Sequence, residues 1–364
     1  MSDSLAAQVP NVPDLLSWYQ KEHRPMPWRE TKNPYYIWIS EIMLQQTRVD
    51  QALPYFERFI TAFPTVEHLA LADPHDVLML WEGLGYYSRA RNIHKAAKQI
   101  SSDFGGKLPA SYQELLSLPG IGPYTAAAIS SIAFKLEHAV MDGNVIRVVC
   151  RYLGLEEDTR KNSTRSRVQK VVDEWIIGQA PDDFNQAIME LGATVCTPHR
   201  PNCESCPISV QCVAYTESKT DVIPYASKKA KRPHHQISVA IIMNENNELL
   251  IAQRPNEAML GGLWEFPGGK QESNESIEDA LLREIKEELG VEITILNEFM
   301  QLDHAYSHFS IHMTAYLCSL ADSTQQPKPK ASQQIRWIPV EELTNYPFPK
   351  ANRTLTLALI DEFA

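Results

Sequence analysis

Two groups of side chains in this 364-residue sequence could do chemistry: a set of closely spaced cysteines and a pair of acidic residues. Four of the six cysteines follow the spacing Cys196-x6-Cys203-x2-Cys206-x5-Cys212. In a reducing compartment, cysteines this close together are more often metal ligands than disulfides. Structural zinc sites usually combine two Cys-x2-Cys pairs, and only one is present here. The spacing therefore favours a [4Fe–4S] cluster and leaves zinc open.

A glycine-containing turn precedes the first acidic residue of interest. The segment Leu118-Pro119-Gly120-Ile121-Gly122 lies between two helical stretches, and Asp142 follows twenty residues after the second glycine. Gly120 and Gly122 would permit a tight turn whose backbone N–H groups face outward at the start of the next helix. Such a turn binds phosphate without reading base sequence. Taken alone, the segment would also suit an ordinary corner between helices.

The turn, Asp142 and the cysteine cluster, in this order, resemble the helix-hairpin-helix DNA glycosylases. The resemblance is to their iron–sulfur branch, which contains endonuclease III and the MutY family of adenine DNA glycosylases, and it covers roughly residues 14–216. It implies that Gly120 and Gly122 contact a DNA phosphate and that Asp142 lies beside the sugar. It also implies a [4Fe–4S] cofactor held by the four cysteines.

The residue two positions after Gly122 distinguishes the two members of this branch. Endonuclease III has a lysine there, whose amine forms a Schiff base with the sugar and then cuts the strand. This sequence has Tyr124, which cannot form that intermediate. The resemblance therefore favours MutY and base removal without strand cleavage. A bifunctional endonuclease III-like glycosylase and lyase is the alternative, and strand nicking without added alkali would support it.

The second acidic residue, Glu41, lies in residues 38–47, which resemble the MutY segment that carries the catalytic glutamate. Taken alone, an acid with apolar neighbours could equally lie on the solvent face of a helix. Adenine leaves deoxyribose only when a ring nitrogen is protonated, and the sugar left behind is cationic. By analogy with glycoside hydrolysis, we expect burial to raise the pKa of Glu41 so that it protonates adenine N7 and then activates water. Asp142 is expected to remain charged beside the oxocarbenium ion.

The resemblance also assigns residues around an adenine that has rotated out of the duplex. Tyr124 is expected to be a catalytic neighbour beside the sugar. Gln46 and Tyr86 resemble residues that wedge near the opposite guanine. Core packing is the alternative for Tyr86 and for Trp28. The residues that resemble the adenine pocket are Trp28, Arg29, Leu44 and Gln186.

The elements that must position these residues change in character along the chain. Apolar residues recur at helical spacing from Asp14 to about Thr216, with Pro and Gly between the segments. Beyond the polar residues 217–233, the pattern is that of an α+β domain. We therefore predict a multidomain protein: an all-α glycosylase region at 1–216 with six-helix and iron–sulfur subdomains, a linker at 217–233 and an α+β domain at 234–364. The elements predicted for that last domain are strands at 237–243, 249–252 and 312–317 and helices at 276–289 and 352–363.

The C-terminal region resembles the Nudix-like domain with which MutY proteins read the strand containing 8-oxoguanine. The family's lesion-reading Phe-Ser-His corresponds here to Tyr306, Ser307 and His308, with tyrosine in place of phenylalanine. Residues 269–291 also fit the whole Nudix signature, including the glutamates that bind Mg²⁺ in nucleoside diphosphate hydrolases. We favour a retained scaffold over a second active site, and nucleotide hydrolysis is the alternative.

Charge and hydropathy limit the partners of the chain. The net charge of −11 comes almost wholly from the C-terminal part of the chain. Residues 1–233 contain 25 Lys and Arg and 26 Asp and Glu, whereas residues 234–364 contain 9 Lys and Arg and 19 Asp and Glu. The first part can still offer local basic groups to DNA. No apolar run could span a bilayer and no signal peptide is visible. We expect a cytoplasmic monomer that acts on double-stranded DNA with A:8-oxoguanine or A:G mispairs. A non-catalytic DNA-binding module would not need the carboxylate pair.

Overall fold

The computed structural model describes residues 9–228 and 232–364. Up to residue 228 the described chain forms helices without strands, and β-strands begin at His234. The predicted order, an all-helical part followed by an α+β part, is confirmed. In neither described range is any helix both long and apolar enough to cross a membrane.

Five helices of the first part have an N-cap residue whose side chain accepts a backbone hydrogen bond. Asn33 caps the helix that carries Glu41, because its side chain accepts a hydrogen bond from the backbone N–H of Tyr35 at 3.0 Å. In chain order the helices are α1 (Val12–Glu22), α2 (Pro34–Leu44), α3 (Val49–Ala62), α4 (Val66–Leu71), α5 (Pro74–Trp81), α6 (Ser88–Asp103), α7 (Tyr112–Leu116), α8 (Pro123–Ile132), α9 (Gly143–Leu153), α10 (Asn162–Trp175), α11 (Pro181–Thr194) and α12 (Val213–Thr216), with 3₁₀ turns at Cys203–Ser205 and Ser209–Gln211.

The packing of five of these helices determines where the chemistry-bearing side chains lie. Helix α11 packs against α9, α8 and α1, and α2 packs against α8. The shared core contains Val149, Trp175, Phe184 and Leu191. Because α2 is apolar on nearly all sides, packing buries most of it, including its one acidic residue.

The second part contains two sheets and two helices. The elements are β1 (His234–Ile242), β2 (Glu248–Gln253), β3 (Trp264–Glu265), β4 (Gly268–Lys270), α13 (Ile277–Leu289), β5 (Ile293–Ala305), β6 (Ser310–Leu320), β7 (Gln334–Pro339), a 3₁₀ helix (Val340–Asn345) and α14 (Lys350–Phe363). A four-stranded sheet has the order β4-β1-β6-β5, with β1 and β6 parallel, and a three-stranded sheet has the order β3-β2-β7.

The chain forms two compact units that are not simply its two halves. Residues 57–62 and 71–94 belong to the second unit together with the sheets. Polar contacts within that unit anchor the segment. The carboxylate of Glu82 accepts a hydrogen bond from the backbone N–H of Phe348 at 2.9 Å, and Arg91 donates to the carbonyl of Gly261 at 2.6 Å.

Candidate active site

A cavity of about 190 Å³ in the helical unit is lined by α2, α8, α9, α11 and the loop before α2. Its volume exceeds the roughly 30 Å³ that one water molecule occupies in the liquid, so it has room for a larger group. Apolar and polar side chains share the lining, as in small-molecule sites. Seven of the residues named from the sequence line it: Trp28, Arg29, Glu41, Leu44, Tyr124, Asp142 and Gln186.

Glu41 lies inside this cavity and not on a solvent face. Only 6% of its surface is exposed, and the hydroxyl of Tyr124 donates to its Oε2 at 2.9 Å. Burial raises the pKa of Glu41 to about 7, against the lowering effect of the Tyr124 hydrogen bond, and the negative charge of Asp142 raises it further. A carboxyl group with this pKa can hold a proton near neutral pH and release it.

Asp142 has a different environment, because it caps the N-terminus of α9. Its Oδ1 accepts from the backbone N–H of Val145 at 2.8 Å, and its Oδ2 accepts from the side-chain amide of Asn144 at 2.8 Å. Burial raises the pKa of Asp142 above its ordinary value, and these hydrogen bonds and the charge of Arg147 offset only part of that increase. Both oxygens therefore face donors that favour the anion, whereas Glu41 has Tyr124 as a donor on one oxygen.

Arg147 connects Asp142 to the cysteine-rich segment through a chain of hydrogen bonds. Its Nη2 donates to Oδ1 of Asn144 at 2.8 Å and to the carbonyl of Gly192 at 2.6 Å. Its Nε donates to the carbonyl of Cys196 at 2.7 Å. The local sequence pattern does not indicate these contacts, because Gly192 and Cys196 lie 45 and 49 positions away from Arg147.

The carboxylate of Glu190 fixes Arg29 in the wall of the cavity. The guanidinium of Arg29 donates to Glu190 at 2.8 Å, and Arg24 donates to the other oxygen of Glu190 at 2.7 Å. Burial alone would raise the pKa of Glu190, but the hydrogen bonds from Arg24 and Arg29 outweigh it and hold the pKa at about 2. Sequence reasoning missed Arg24 and Glu190. The ion pairs hold the Arg29 side chain in place.

The remaining residues assigned to the base pocket differ in their surroundings. Trp28 is buried and packs edge to face on Phe56, with ring centroids 5.2 Å apart, while it also lines the cavity. The amide of Gln186 donates to the backbone carbonyl of Asp182 at 3.2 Å. Gln46 is not among the residues lining the cavity. It is exposed and has a left-handed backbone, with φ of 57°.

The predicted phosphate-binding turn joins α7 and α8. Gly120 has φ of +77°, a conformation that favours glycine. Gly122 is the N-cap of α8, and no side chain caps that helix end. The first backbone N–H groups of α8 are therefore not taken up by a capping side chain, as an anion site requires.

The four clustered cysteines are half-buried free thiols. Within the described residues, no group of three or more His, Cys, Asp or Glu side chains is arranged so that it could hold a metal ion. The thiols nevertheless lie within electrostatic reach of one another. Burial raises the pKa of the Cys206 thiol to about 12, and the charges of Cys196, Cys212 and Cys203 add to the effect. Four sulfur donors in one half-buried segment fit an iron–sulfur cluster chemically.

In the second unit, Tyr306, Ser307 and His308 form the tight turn between β5 and β6. The turn is closed by a hydrogen bond from the N–H of Tyr306 to the carbonyl of Phe309 at 2.8 Å. The ring of Tyr306 packs against the core of the sheets, whereas Ser307 and His308 are exposed. The hydroxyl of Ser307 is hydrogen-bonded to that of Tyr86.

Several carboxylates of the Nudix signature form ion pairs with Arg283 of helix α13. Arg283 binds Glu275 at 2.8 Å and Glu284 at 3.0 Å, and it lies 3.4 Å from Glu287. Glu288 accepts from the backbone N–H of Gly268 at 3.2 Å, and burial raises its pKa to about 7. One arginine thus contacts three of the carboxylates in the signature.

Family models match both parts of the chain. Residues 39–174 match the HhH-GPD superfamily of base excision DNA repair proteins, and residues 238–358 match the NUDIX domain. Among solved structures, a thermostable thymine-DNA glycosylase superposes with a TM-score of 0.51 at 28% identity, covering 57% of this chain and 95% of that one. The helical unit therefore has the fold of a DNA glycosylase.

Proteins named adenine DNA glycosylase match over most of the chain. The one from Rattus norvegicus is 34% identical, with 91% of this chain and 74% of the relative covered. The one from Homo sapiens is 33% identical, with coverages of 90% and 70%. The one from Buchnera aphidicola (Acyrthosiphon pisum) is 34% identical, with coverages of 84% and 85%. On these matches, the chain belongs to the adenine DNA glycosylase family.

Proposed function

We propose that this protein excises adenine from mispairs in double-stranded DNA, as a glycosylase of base excision repair. The observation that carries the proposal is a buried carboxyl group, Glu41, whose pKa burial raises to about 7, in one cavity with a second carboxylate, Asp142. Departure of a purine needs a proton donor and an anion to stabilise the cationic sugar. The raised pKa of Glu41 supports its role as proton donor, and the hydrogen-bond donors on both oxygens of Asp142 support its role as the anion.

In the proposed reaction, Glu41 donates its proton to N7 of adenine, and the bond between the base and C1′ of the sugar breaks. Asp142, with hydrogen-bond donors on both oxygens, stays anionic and stabilises the oxocarbenium ion. Glu41, now a carboxylate, takes a proton from water as the water oxygen attacks C1′. Tyr124 positions the Glu41 carboxyl through its hydrogen bond at 2.9 Å.

The base-binding walls of the cavity follow from the same geometry. Trp28 and Leu44 supply apolar surface for the flipped adenine, and Gln186 supplies amide groups. Arg29, fixed by Glu190, adds a positive charge that disfavours a second proton on the bound base. Gly120 and Gly122 bind a phosphate at the N-terminus of α8.

We further propose that the enzyme is monofunctional. Tyr124 occupies the position at which a lyase carries lysine, and its phenol cannot form a Schiff base with the sugar. The endonuclease III-like alternative requires an amine at this point of the cavity. Adenine release without strand nicking at neutral pH is the expected result.

Cys196, Cys203, Cys206 and Cys212 would hold a [4Fe–4S] cluster, for which they supply the thiolate ligands. When bound, the cluster cross-links the segment through metal–sulfur bonds and so adds to its stability. The chain's own residues already tie this segment to α9. Arg151 donates to the carbonyl of Thr197 at 2.7 Å and lies 3.4 Å from the sulfur of Cys196.

Reading of the base opposite adenine is proposed for Tyr306, Ser307 and His308, with Gln46 and Tyr86 wedged beside it. The exposed Ser307 and His308 at a tight turn support this role. The preferred substrates are then A:8-oxoguanine and A:G mispairs. A cytoplasmic location and a monomeric state stay predictions.

For the Nudix signature we propose a retained scaffold rather than a second hydrolase. The support is Arg283, which contacts carboxylates that a divalent cation would need. Release of pyrophosphate from 8-oxo-dGTP by the full chain with Mg²⁺ would establish the alternative.

The decisive experiment measures adenine release from A:8-oxoguanine and A:G duplexes under single-turnover conditions. Wild type, Glu41→Gln and Ser307→Ala are compared. We expect Glu41→Gln to lose release from both duplexes, by roughly a hundredfold or more. Ser307→Ala is expected to lose the preference for 8-oxoguanine while it keeps excision. Near-normal release by Glu41→Gln would contradict the proposed role of that residue.

A further inference from the structure

The hydroxyl group of Tyr124 has two hydrogen-bond acceptors within reach in the cavity of the helical unit. It lies 2.9 Å from Oε2 of Glu41 and 3.3 Å from the thioether sulfur of Met189. Met189 is a half-buried residue of α11, and it lines the same cavity as the two carboxyl groups. One hydroxyl hydrogen is therefore shared between a group that titrates and a group that does not.

The chemistry of the two neighbours fixes the direction of these hydrogen bonds. A thioether has no hydrogen, so Met189 can only accept, whereas a carboxyl group accepts when it is ionised and can donate when it is protonated. The single hydrogen of Tyr124 goes to Glu41 when that group is a carboxylate. When Glu41 is protonated, its O–H can donate to the phenol oxygen, and the Tyr124 hydrogen is then directed to the sulfur.

The phenol keeps its hydrogen throughout this exchange. Burial, reinforced by the negative charges of Glu41 and Asp142, raises the pKa of the Tyr124 phenol well above its usual value. A hydroxyl hydrogen that has no acceptor inside a cavity costs free energy. The sulfur of Met189 therefore provides an acceptor for the one state in which Glu41 is not available as an acceptor.

The other charged groups of the cavity act on Glu41 without this exchange. The negative charge of Asp142 raises the pKa of Glu41, and the positive charge of Arg29 lowers it. Among the described residues, neither group is hydrogen-bonded to Tyr124, and the same holds for the other charged residues of the lining. Those residues are Arg24 and Glu190. Only Met189 competes with Glu41 for the phenol hydrogen.

We propose that Met189 is a positioning residue that accepts the Tyr124 hydrogen while Glu41 is protonated. The sulfur thereby stabilises the state in which Glu41 holds the proton that adenine receives. After this proton has moved to N7 of adenine, the Tyr124 hydrogen turns from the sulfur to the new carboxylate and stabilises it. The inference rests on the proposed role of Glu41 as the proton donor.

The test is the pH profile of adenine release from an A:8-oxoguanine duplex by wild type, Met189→Leu and Met189→Ile. Single-turnover conditions at subsaturating enzyme make the profile report the free enzyme. Both variants lack the sulfur, and leucine nearly keeps the volume of methionine. Because protonated Glu41 then loses support, we expect the alkaline limb to move down by about half a pH unit in both variants. Above the limb, this shift corresponds to about threefold slower release.

Two controls show whether the effect passes from the sulfur through the phenol. In a Tyr124→Phe background, Met189→Leu should leave the alkaline limb where Tyr124→Phe alone places it. Met26→Leu is the matched control, because Met26 is buried and lines the same cavity, and within the described chain no hydrogen bond joins it to Tyr124. Its alkaline limb is expected at the wild-type pH. Melting temperatures identify any variant that has lost its fold.

The remaining outcomes separate the role of Met189 from the role of Glu41. If both Met189 variants keep the wild-type limb while Tyr124→Phe moves it, the role of Met189 is wrong and Glu41 stands as the proton donor. If Met189→Leu moves the limb equally in the Tyr124→Phe background, packing acts in place of the sulfur and the inference fails. If Glu41→Gln retains both the alkaline limb and near-normal release, the proposed role of Glu41 itself is wrong.

Discussion

Replacing Glu41 with glutamine should stabilise the folded protein at alkaline pH even as it removes activity. The surroundings of the Glu41 carboxyl group in the cavity favour its neutral form. Ionisation of Glu41 therefore lowers the free energy of unfolding of the protein. Glutamine has nearly the same shape and carries no charge at any pH. The variant therefore avoids the loss of stability that ionisation of Glu41 causes in wild type, where catalysis requires an ionisable group.

The magnitude follows from the two pKa values. Burial raises the pKa of Glu41 from 4.5 to about 7. Because the folded-state value is the higher one, its contribution to stability is complete below about pH 4.5 and is lost as the pH rises through about 7. At 1.36 kcal/mol for each pKa unit, the whole loss is about 3 kcal/mol, of which about 2 kcal/mol falls between pH 5.5 and pH 8.

The assay is denaturant unfolding of wild type and Glu41→Gln at both pH values. Between pH 5.5 and pH 8, the free energy of unfolding of Glu41→Gln is expected to rise by about 2 kcal/mol relative to that of wild type. Glu30→Gln is the control, because Glu30 is exposed in the same unit and its replacement should give no such change. A difference that stays constant with pH would refute the assignment of a raised pKa to Glu41.

Three further outcomes test other contacts of the site. Tyr124→Phe removes the hydrogen bond that lowers the pKa of Glu41, so the alkaline limb of the pH profile of adenine release should move up by roughly one pH unit; a fixed limb would count against this coupling. Arg147→Met should slow adenine release at least about tenfold, because Asn144 loses its support, while near-normal rates would make the hydrogen-bond chain irrelevant to catalysis. Cys206→Ser should lower iron content, visible absorbance and melting temperature, and unchanged iron content would exclude Cys206 as a ligand.

The division into a helical part and an α+β part can be predicted from the sequence, because periodicity and turn residues are local signals. The burial of Glu41 cannot be predicted in this way, because α2 is apolar around nearly its whole circumference and has no distinct polar face. Which side faces the cavity is decided by the packing of α8 against α2. Only the resemblance could indicate Glu41 before the packing was known.

The contacts of Arg147 and Glu190 could not be found from the sequence for a related reason. Both occupy helices in which charged residues normally face solvent, and their partners lie 45 to 166 positions away. Strand β5 was missed because its bulges, between Ile295 and Asn297 and between Glu298 and Met300, interrupt the two-residue alternation.

The composition of the second unit affects how a truncated protein should be interpreted. Tyr86 is encoded within the glycosylase region, yet its segment is anchored by Phe348 and Gly261, which belong to the sheet-containing part of the chain. Removal of the chain beyond the linker would delete Ser307 and would also take away the contacts that hold the segment around Tyr86. Loss of 8-oxoguanine preference in such a truncation could therefore arise from either residue. Single substitutions that leave the unit intact are needed to assign discrimination to one hydroxyl group.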